Sequence, residues 1–574
     1  MRGTRTRAPR LARVAVVVAL TAAAALPVAT GTAGAVARAP GTGPAPAGTG
    51  IGTAAAYANP LCDRNAGTYG RLQFVTKQGY LGSVCVAKWK GTNNGGATYQ
   101  GVTKDAIRVV ALVPNDQQIG AVVAKSQLPL NNATGQPGSM ENAIKDTLAP
   151  FQKFFETYGR TVEIDFVTST GDDEAAQRAD AVTVVAEKPF AVIDTTFNGE
   201  PVFGAAVGAA KIPVWGNDVS LEDTLKQAPY RWGQADANAG AINVAEFAGK
   251  QLAGKKAVYA GDTTMHDQTR KLGMVYSPTV IDTALFDKTL AKYGAKLAPG
   301  AVINYPSSNS PFGDPTVAQE QAGTAITKLK TAGVTTVMLL TDSAMITAML
   351  KQANSQDYHP EWIIAGYQYT DLAFFARNYD QNQWAHAFGI SNIAPPVVTT
   401  QTGATLLDPV QWYWGKGRGT SSVFIENIVN WLMQGIMYAG PKLTPQTFEQ
   451  GYFAVPATGG SVANDVYTVQ QGFGRTDGLP YDEYLHGNKD FTVVWWDPNT
   501  VGPPLTNLGL PGGQGTLWYL DGGKRYYGAH WPTTPLKFFD KSNATYELTV
   551  PATSSAQAPC TGCPSETGQG QPSS

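Results

Sequence analysis

From Asp105 onward the chain alternates short apolar, β-branched runs with segments of helical period, and this alternation limits it to an α/β fold. Ile107 to Val113 reads as a strand, closed by Pro114-Asn115-Asp116. Met140 to Tyr158 follows, with Ile144, Leu148, Phe151, Phe154 and Phe155 on roughly one face, and Gly159 ends it. Strand Val162–Val167, a helix through Ala186, strand Phe190–Ile193, a small-residue helix from Val202 to Ala210 and strand Ile212–Trp215 come next. This βαβαβαβ order predicts a doubly wound, mainly parallel sheet. The alternation then starts again. Ile242 to Leu252 reads as helix, Leu272 to Tyr276 as strand, and Ala284 to Tyr293 as helix. Strands Ala301–Tyr305, Thr335–Leu340 and Trp362–Ala365 alternate with helices Ala318–Thr331 and Ser343–Ala353.

Two open α/β units in tandem predict two Rossmann-like lobes, a hinge, and a ligand cleft between them. Lobe 1 is expected at 105–235, completed by about 395–485, and lobe 2 at 236–394, completed by about 486–545. The long helix Val423 to Tyr438 and the aromatic strands Phe491–Trp496 and Thr516–Leu520 serve that completion.

The N-terminus reads as an export signal. Arg2, Arg5, Arg7, Arg10 and Arg13 precede an apolar run from Val14 to Leu26, and Ala35-Val36-Ala37 offers a small-x-small cleavage site. The run is shorter than the roughly 20 residues a membrane span needs. A signal peptide over 1–37, a flexible spacer over 38–57, an N-terminal extension over 58–104 and a disordered tail over 546–574 are expected. Cys62 and Cys85 bracket a short segment and are expected to form a disulfide in an oxidising compartment. Cys560 and Cys563 read as a second, small disulfide loop; a redox pair and half a zinc site are the alternatives. No cysteine directly follows the apolar run, so no lipid anchor is expected. A net charge of -1 with 15% charged residues supplies no basic surplus for nucleic acid.

On several segments the chain resembles the type I periplasmic binding proteins, in the leucine/isoleucine/valine-binding branch of ABC-importer substrate-binding proteins. Thr103-Lys104-Asp105-Ala106-Ile107-Arg108-Val109 is similar to the lead-in of that family's first strand, and Gly171-Asp172-Asp173-Glu174-Ala175-Ala176 to its Ala-rich helix opening. Phe190 to Asp194, Lys211 to Trp215 and Thr324 to Leu340 look like further family segments. Cys62 to Cys85, followed by Asn94-Gly95-Gly96-Ala97-Thr98, resembles an extension found in exported actinobacterial-type members. The resemblance implies a hinge-bending receptor, monomeric and outside the cell, that presents a small-molecule ligand to an ABC permease in the membrane. It implies no cofactor.

Ligands of open α/β sheets sit beyond the carboxyl ends of the strands, near helix N-termini. Pocket residues are therefore expected in the loops after strands. In lobe 1 these are Gln117, Thr196, Asn198, Asn217 and Asp218, and the resemblance puts Thr196 where a hydroxyl meets a ligand carboxylate. In lobe 2 they are Ser277, Thr279, Thr341, Asp342, Tyr367 and Gln368. Helix capping is the alternative role for Thr196, Asn198 and Asp342. Amino-acid-binding members place an acidic residue where this chain has Tyr367 or Gln368, so amides, aromatic acids and other small organic solutes stay open beside amino acids.

No sequence motif of an enzyme appears. The histidines His266, His359, His386, His486 and His530 lack metal-ligand spacing, and no GxSxG, HExxH or phosphate-binding loop is present. No metal and no catalytic residue are expected. A ligand-sensing receptor subunit and a secreted hydrolase are the alternative functions.

Overall fold

The computed structural model describes residues 43–550, apart from 66–67, 73–82, 120–138, 197–200, 219–223, 225, 236, 279–280, 307–312, 400–422, 464–465, 468, 475–485, 489 and 505–510. The signal-peptide residues, Asn198, Thr279, Cys560 and Cys563 lie outside the described residues.

The first sheet holds β1 (Ala106–Val113), β2 (Thr161–Thr168), β3 (Ala191–Asp194), β4 (Val214–Asp218) and β5 (Arg231–Ala235). Between them run α1 (Ser139–Phe154), α2 (Glu174–Ala186) and α3 (Pro201–Ala209). All strand pairs are parallel, and the order is β2-β1-β3-β4-β5. β1 is buried on both faces. Ile107, Val109 and Ala111 enter a core with α1, while Val110 and Leu112 enter a second core with Ala181, Val184, Phe203 and Val207 of α2 and α3. Helices on both faces explain the near-continuous apolar strands.

The helix α4 (Ala237–Phe247), continued by a π-helical turn over Ala248–Leu252, opens the second unit. Its sheet holds β6 (Leu272–Tyr276), β7 (Leu297–Asn304), β8 (Thr336–Leu340), β9 (Glu361–Ile364) and β10 (Ala387–Ser391). The helices α5 (Thr283–Ala291), α6 (Pro315–Thr331) and α7 (Ser343–Ser355) alternate with these strands. The order, β7-β6-β8-β9-β10, repeats that of the first sheet, again with parallel pairs. Both sheets thus have the 2-1-3-4-5 winding, whose switch point lies between strands one and three.

After β10 the chain returns to the first unit. There α8 (Val423–Ala439) and α9 (Pro445–Phe453) pack on the α1 face, where Ile428, Leu432 and Phe448 join the core. The short β12 (His486–Asn488), numbered after β11 (Val397–Thr399), pairs with β5 and extends the first sheet. β13 (Phe491–Gly502) then adds antiparallel to β10, followed by β14 (Gly513–Leu520) and the short β15 (Arg525–Tyr526).

Three boundaries differ from the sequence reading. Residues 486–488 belong to the first sheet rather than to the second lobe. The stretch expected as a flexible spacer is packed from residue 43: Thr49 and Ala56 are buried, and Ala54–Tyr57 forms a helical turn capped by Thr53. The tail starts later than expected, because Leu548–Val550 pairs in parallel with β11. Small apolar side chains explain the second difference, since Ala and Gly reach a core surface without bulk.

The Cys62–Cys85 disulfide is formed. It holds a segment whose Leu72, Val84, Cys85 and Val86 enter the α1–α8 core, and the Val84 N–H donates to the Tyr438 hydroxyl at 2.9 Å. Arg160 ties the extension down: Nε donates to Thr103 O, Nη1 to Pro441 O, and Nη2 to Asn94 O.

Candidate functional site

Two of the passages between the sheets are very short, and they fix which edges meet. β5 ends at Ala235 and α4 starts at Ala237; β12 ends at Asn488 and β13 starts at Phe491. Both passages leave the first sheet at the carboxyl ends of its strands. β13 starts beside the carboxyl end of β10, where Thr492 pairs with Ser391. The α4 start lies there too: Gly240 sits beside Phe491, and Asn238 Oδ1 accepts the Asp282 N–H at 2.7 Å. Linkers of one or two residues bring carboxyl edge to carboxyl edge, so the loops after the strands of both sheets meet at the hinge.

On the first edge, Thr196 is turned to its own strand. Its N–H and its hydroxyl both donate to Asp194 Oδ1, at 2.8 and 2.7 Å. The hydroxyl that the resemblance assigns to a ligand carboxylate is hydrogen-bonded here to the buried Asp194 carboxylate. Thr195 likewise donates its hydroxyl to Leu112 O at 2.8 Å. Gln117 is exposed, whereas its neighbour Gln118 is buried and donates to Ser169 Oγ and Asp172. Asn217 and Asp218 close β4, with Asp218 paired to Ala235 beside the hinge.

On the second edge, Ser277 and Thr341 are fully buried at the ends of β6 and β8, the two strands that flank the switch point. Asp342 is a helix cap, accepting the Met345 N–H at 2.9 Å at the start of α7. Tyr367 and Gln368 are buried after β9, and Tyr367 O accepts from the Thr370 N–H and hydroxyl. This loop is conformationally unusual. Gly366, Gln368 and Tyr369 all adopt left-handed φ, of 60°, 47° and 58°. Left-handed φ is uncommon in non-glycine residues, and two in succession make this turn conformationally costly. Gly366 is required for closeness as well: a Cβ there would lie 3.0 Å from Asn392 N and 3.1 Å from the Phe491 ring. The β9 loop therefore rests on two of the chain segments that cross between the sheets.

The structure adds residues that spacing did not single out. Asp371 is buried, with Oδ2 accepting the Ser391 hydroxyl at 2.5 Å. Burial raises its carboxyl to about 6, against the opposing pull of the Ser391 hydrogen bond. Asp371 also lines a small surface recess whose walls include Phe374, Arg377, Ile393, Pro396 and Leu517. Tyr379, fully buried, is pushed well above the usual tyrosine range by burial and by both Asp342 and Asp371. Tyr305 is raised in the same way, by burial and then Asp342. These shifts connect Tyr305, Asp342, Tyr379 and Asp371 as one polar cluster. The sequence signal was weak, because the four come from the separate passages after β7, β8 and β9.

Three of the scattered histidines also converge: His359 and His386 lie against Gly261, and the charge of His266 acts on His386. Among the described residues no group of His, Cys, Asp and Glu has the arrangement of a metal site. The winding order, repeated in two lobes joined at their carboxyl edges, is the architecture of a type I periplasmic binding protein.

No protein-family model and no curated protein matches the chain. Among solved structures, it is similar to a fatty acid ABC transporter substrate-binding protein from Thermomonospora curvata, at 13% identity over 76% of this chain and 97% of that one, with a TM-score of 0.45. A putative branched-chain amino acid ABC transporter from Rhodospirillum rubrum shares 13% identity over 68% of this chain and 97% of its own, with a TM-score of 0.41. An R. palustris solute-binding protein of an ABC transporter, in complex with 4-hydroxybenzoate, shares 12% identity over 67% and 97%, also with a TM-score of 0.41. At identities and scores this low, the fold rests on the strand orders themselves.

Proposed function

We propose that this chain is an exported solute-binding protein that closes two lobes over a small organic solute and delivers it to an ABC permease. The observation that carries this reading is the pair of short passages joining the carboxyl edges of two identically wound sheets. Such edges are where open α/β sheets hold ligands. Linkers this short suit rotation of one lobe on the other about a few residues. The solute site comprises the loops after β3 and β4 in the first lobe and after β6, β8 and β9 in the second. Export is supported by the Cys62–Cys85 disulfide, which belongs to an oxidising compartment. Among the described residues, no helix is long and apolar enough to cross a membrane. The protein binds its solute as a monomer, without a cofactor and without altering it.

A thermal-shift screen with amino acids, amides, amines and aromatic acids tests this reading. A true solute at a hundredfold its Kd stabilises the fold by about 2.7 kcal/mol. Recovery of the solute chemically unchanged, by mass spectrometry, is expected. A hydrolysed product, or no stabilising compound in any class, contradicts the proposal.

A further inference from the structure

Three histidines meet at the amino edge of the second sheet, at the opposite end of the strands from the loops proposed for the solute. The segment 253–270, between α4 and β6, crosses this edge, with the Ala257 N–H donating to Gln268 O and the Arg270 N–H to Lys255 O. Its main anchor is Glu361, fully buried at the start of β9. That carboxylate accepts Arg270 Nε and Nη2, each at 2.7 Å, the Tyr259 N–H at 3.1 Å and the Thr336 hydroxyl at 2.7 Å. Four donors fill its lone-pair positions.

The hydrogen bonds of the three rings fix their tautomers. Carbonyl oxygens only accept, so His266 Nε2, 2.8 Å from Ala260 O, and His386 Nδ1, 3.0 Å from Tyr259 O, both carry protons. His359 is set the other way. The fully buried Gln383, in the turn Gln381–Trp384, accepts the Trp362 indole N–H at Oε1, so its Nε2 donates, at 2.8 Å, to an unprotonated His359 Nδ1. The ring proton then sits on Nε2, 3.3 Å from the exposed Asp357 carboxylate. Each neutral ring satisfies its neighbours with one proton.

A second proton disrupts this arrangement. On His359 Nδ1 it would face the Gln383 amide N–H, and rotating that amide gives up the bonds to Asn354 Oδ1 and Tyr358 O and sets an N–H against the Trp362 indole. On His386 Nε2 it would sit against Gly261, where a Cβ would lie 3.0 Å from both that nitrogen and His359 Cβ. The charges facing His386 are those of His359 and His266, which oppose a second proton, and that of Glu361, which favours it. Around them Asp262 accepts from Thr264, Asp267 pairs with Lys256, and Arg270 and Lys255 add positive charge. Burial, with these neighbours, holds the His386 imidazole below the usual histidine range. What the neutral ring contributes to stability is therefore lost as pH falls through that range.

We infer that His266, His359 and His386 form a proton-operated latch, which holds the segment 253–270 on the amino edge when neutral and loosens it when protonated. The latch stands apart from the solute loops and does not depend on what they bind.

Hydrogen exchange by mass spectrometry on the intact protein tests it, at about pH 7.5 and about pH 5, either side of the ordinary histidine value, with rates corrected for intrinsic exchange. Peptides covering 253–270 are expected to lose protection about tenfold at the lower pH, while β1 keeps its own. His266→Gln, His359→Asn and His386→Asn, combined, put an amide where each ring now bonds but take up no proton. In this variant the segment is expected to be equally protected at both pH values. His359→Asn alone, the mildest of these changes, is expected to shrink the pH effect. Equal protection of the wild-type segment at the two pH values overturns the inference, whatever the variants do. Loss at the lower pH that both variants share in full, or that extends equally to β1, overturns it as well.

Discussion

Arg525 and Asp490 form an ion pair in which both side chains are fully buried, with Nε donating to Oδ1 at 2.8 Å. The pair lies where the chain passes from β12 to β13, and it gathers several segments. Asp490 accepts the Ser461 N–H at 2.7 Å and the Gln470 N–H at 2.8 Å, while Arg525 Nη2 donates to Asn392 O at 2.7 Å. Gly460 lets this happen, because a Cβ there would overlap Asp490 Oδ2 and the Gln470 backbone. Two passages between the lobes, at Asn392 and at Asp490, are thus held to one guanidinium.

Removing one partner leaves an uncompensated buried charge. Arg525→Met is expected to lower stability by about 3–5 kcal/mol in urea denaturation, and the double change Arg525→Met with Asp490→Leu to cost less than the single one. A double variant less stable than the single one contradicts the pairing.

The raised carboxyl of Asp371 gives a pH signature. Its native value is about 6, above the ordinary aspartate value, so between the two the folded chain holds a proton that the unfolded chain has released. Stability from this group is therefore fully present below the unfolded value and is lost as pH rises through the native one, by about 3 kcal/mol in all. Asp371→Asn removes this slope. Denaturation at pH 4 and pH 7 is expected to show the variant gaining on the wild type at the higher pH; equal differences at both contradict the assignment.

Thr196 separates two roles. If its hydroxyl serves Asp194, Thr196→Val costs about 1–3 kcal/mol of stability by leaving a buried carboxylate short of a donor. Solute binding is expected to survive within a few-fold. Loss of solute binding at unchanged stability restores the direct ligand contact implied by family resemblance.

The disulfide ties the extension to α8. Cys62→Ser with Cys85→Ser is expected to cost about 3 kcal/mol, as for loops of comparable length. Hydrogen exchange at the Val84 N–H, bonded to Tyr438, is expected to rise before exchange in β1 does. Unchanged exchange at Val84 contradicts this coupling.

The paired windings were legible because their strands are apolar on both faces, as in Ile107 to Val113, and because capping aspartates such as Asp173 and Asp342 mark helix starts. β7 was read short, from Ala301 rather than Leu297. It is an edge strand with a register shift, which tolerates Pro299 and Gly300. β12 carries no apolar run at all; its place is set by pairing with β5, a long-range contact no local pattern encodes. At the site, the loops after strands were legible from winding alone. The inward turn of Thr196 and the clustering of Tyr305, Tyr379 and Asp371 were not, since they depend on side-chain directions and on loops far apart in sequence.

Small-angle X-ray scattering with and without saturating solute addresses lobe closure most directly. A smaller radius of gyration on binding, reversed when the solute is dialysed out, is the expected outcome. Saturable binding with an unchanged radius of gyration means the two carboxyl edges do not close on the solute, and that result contradicts the bilobal mechanism.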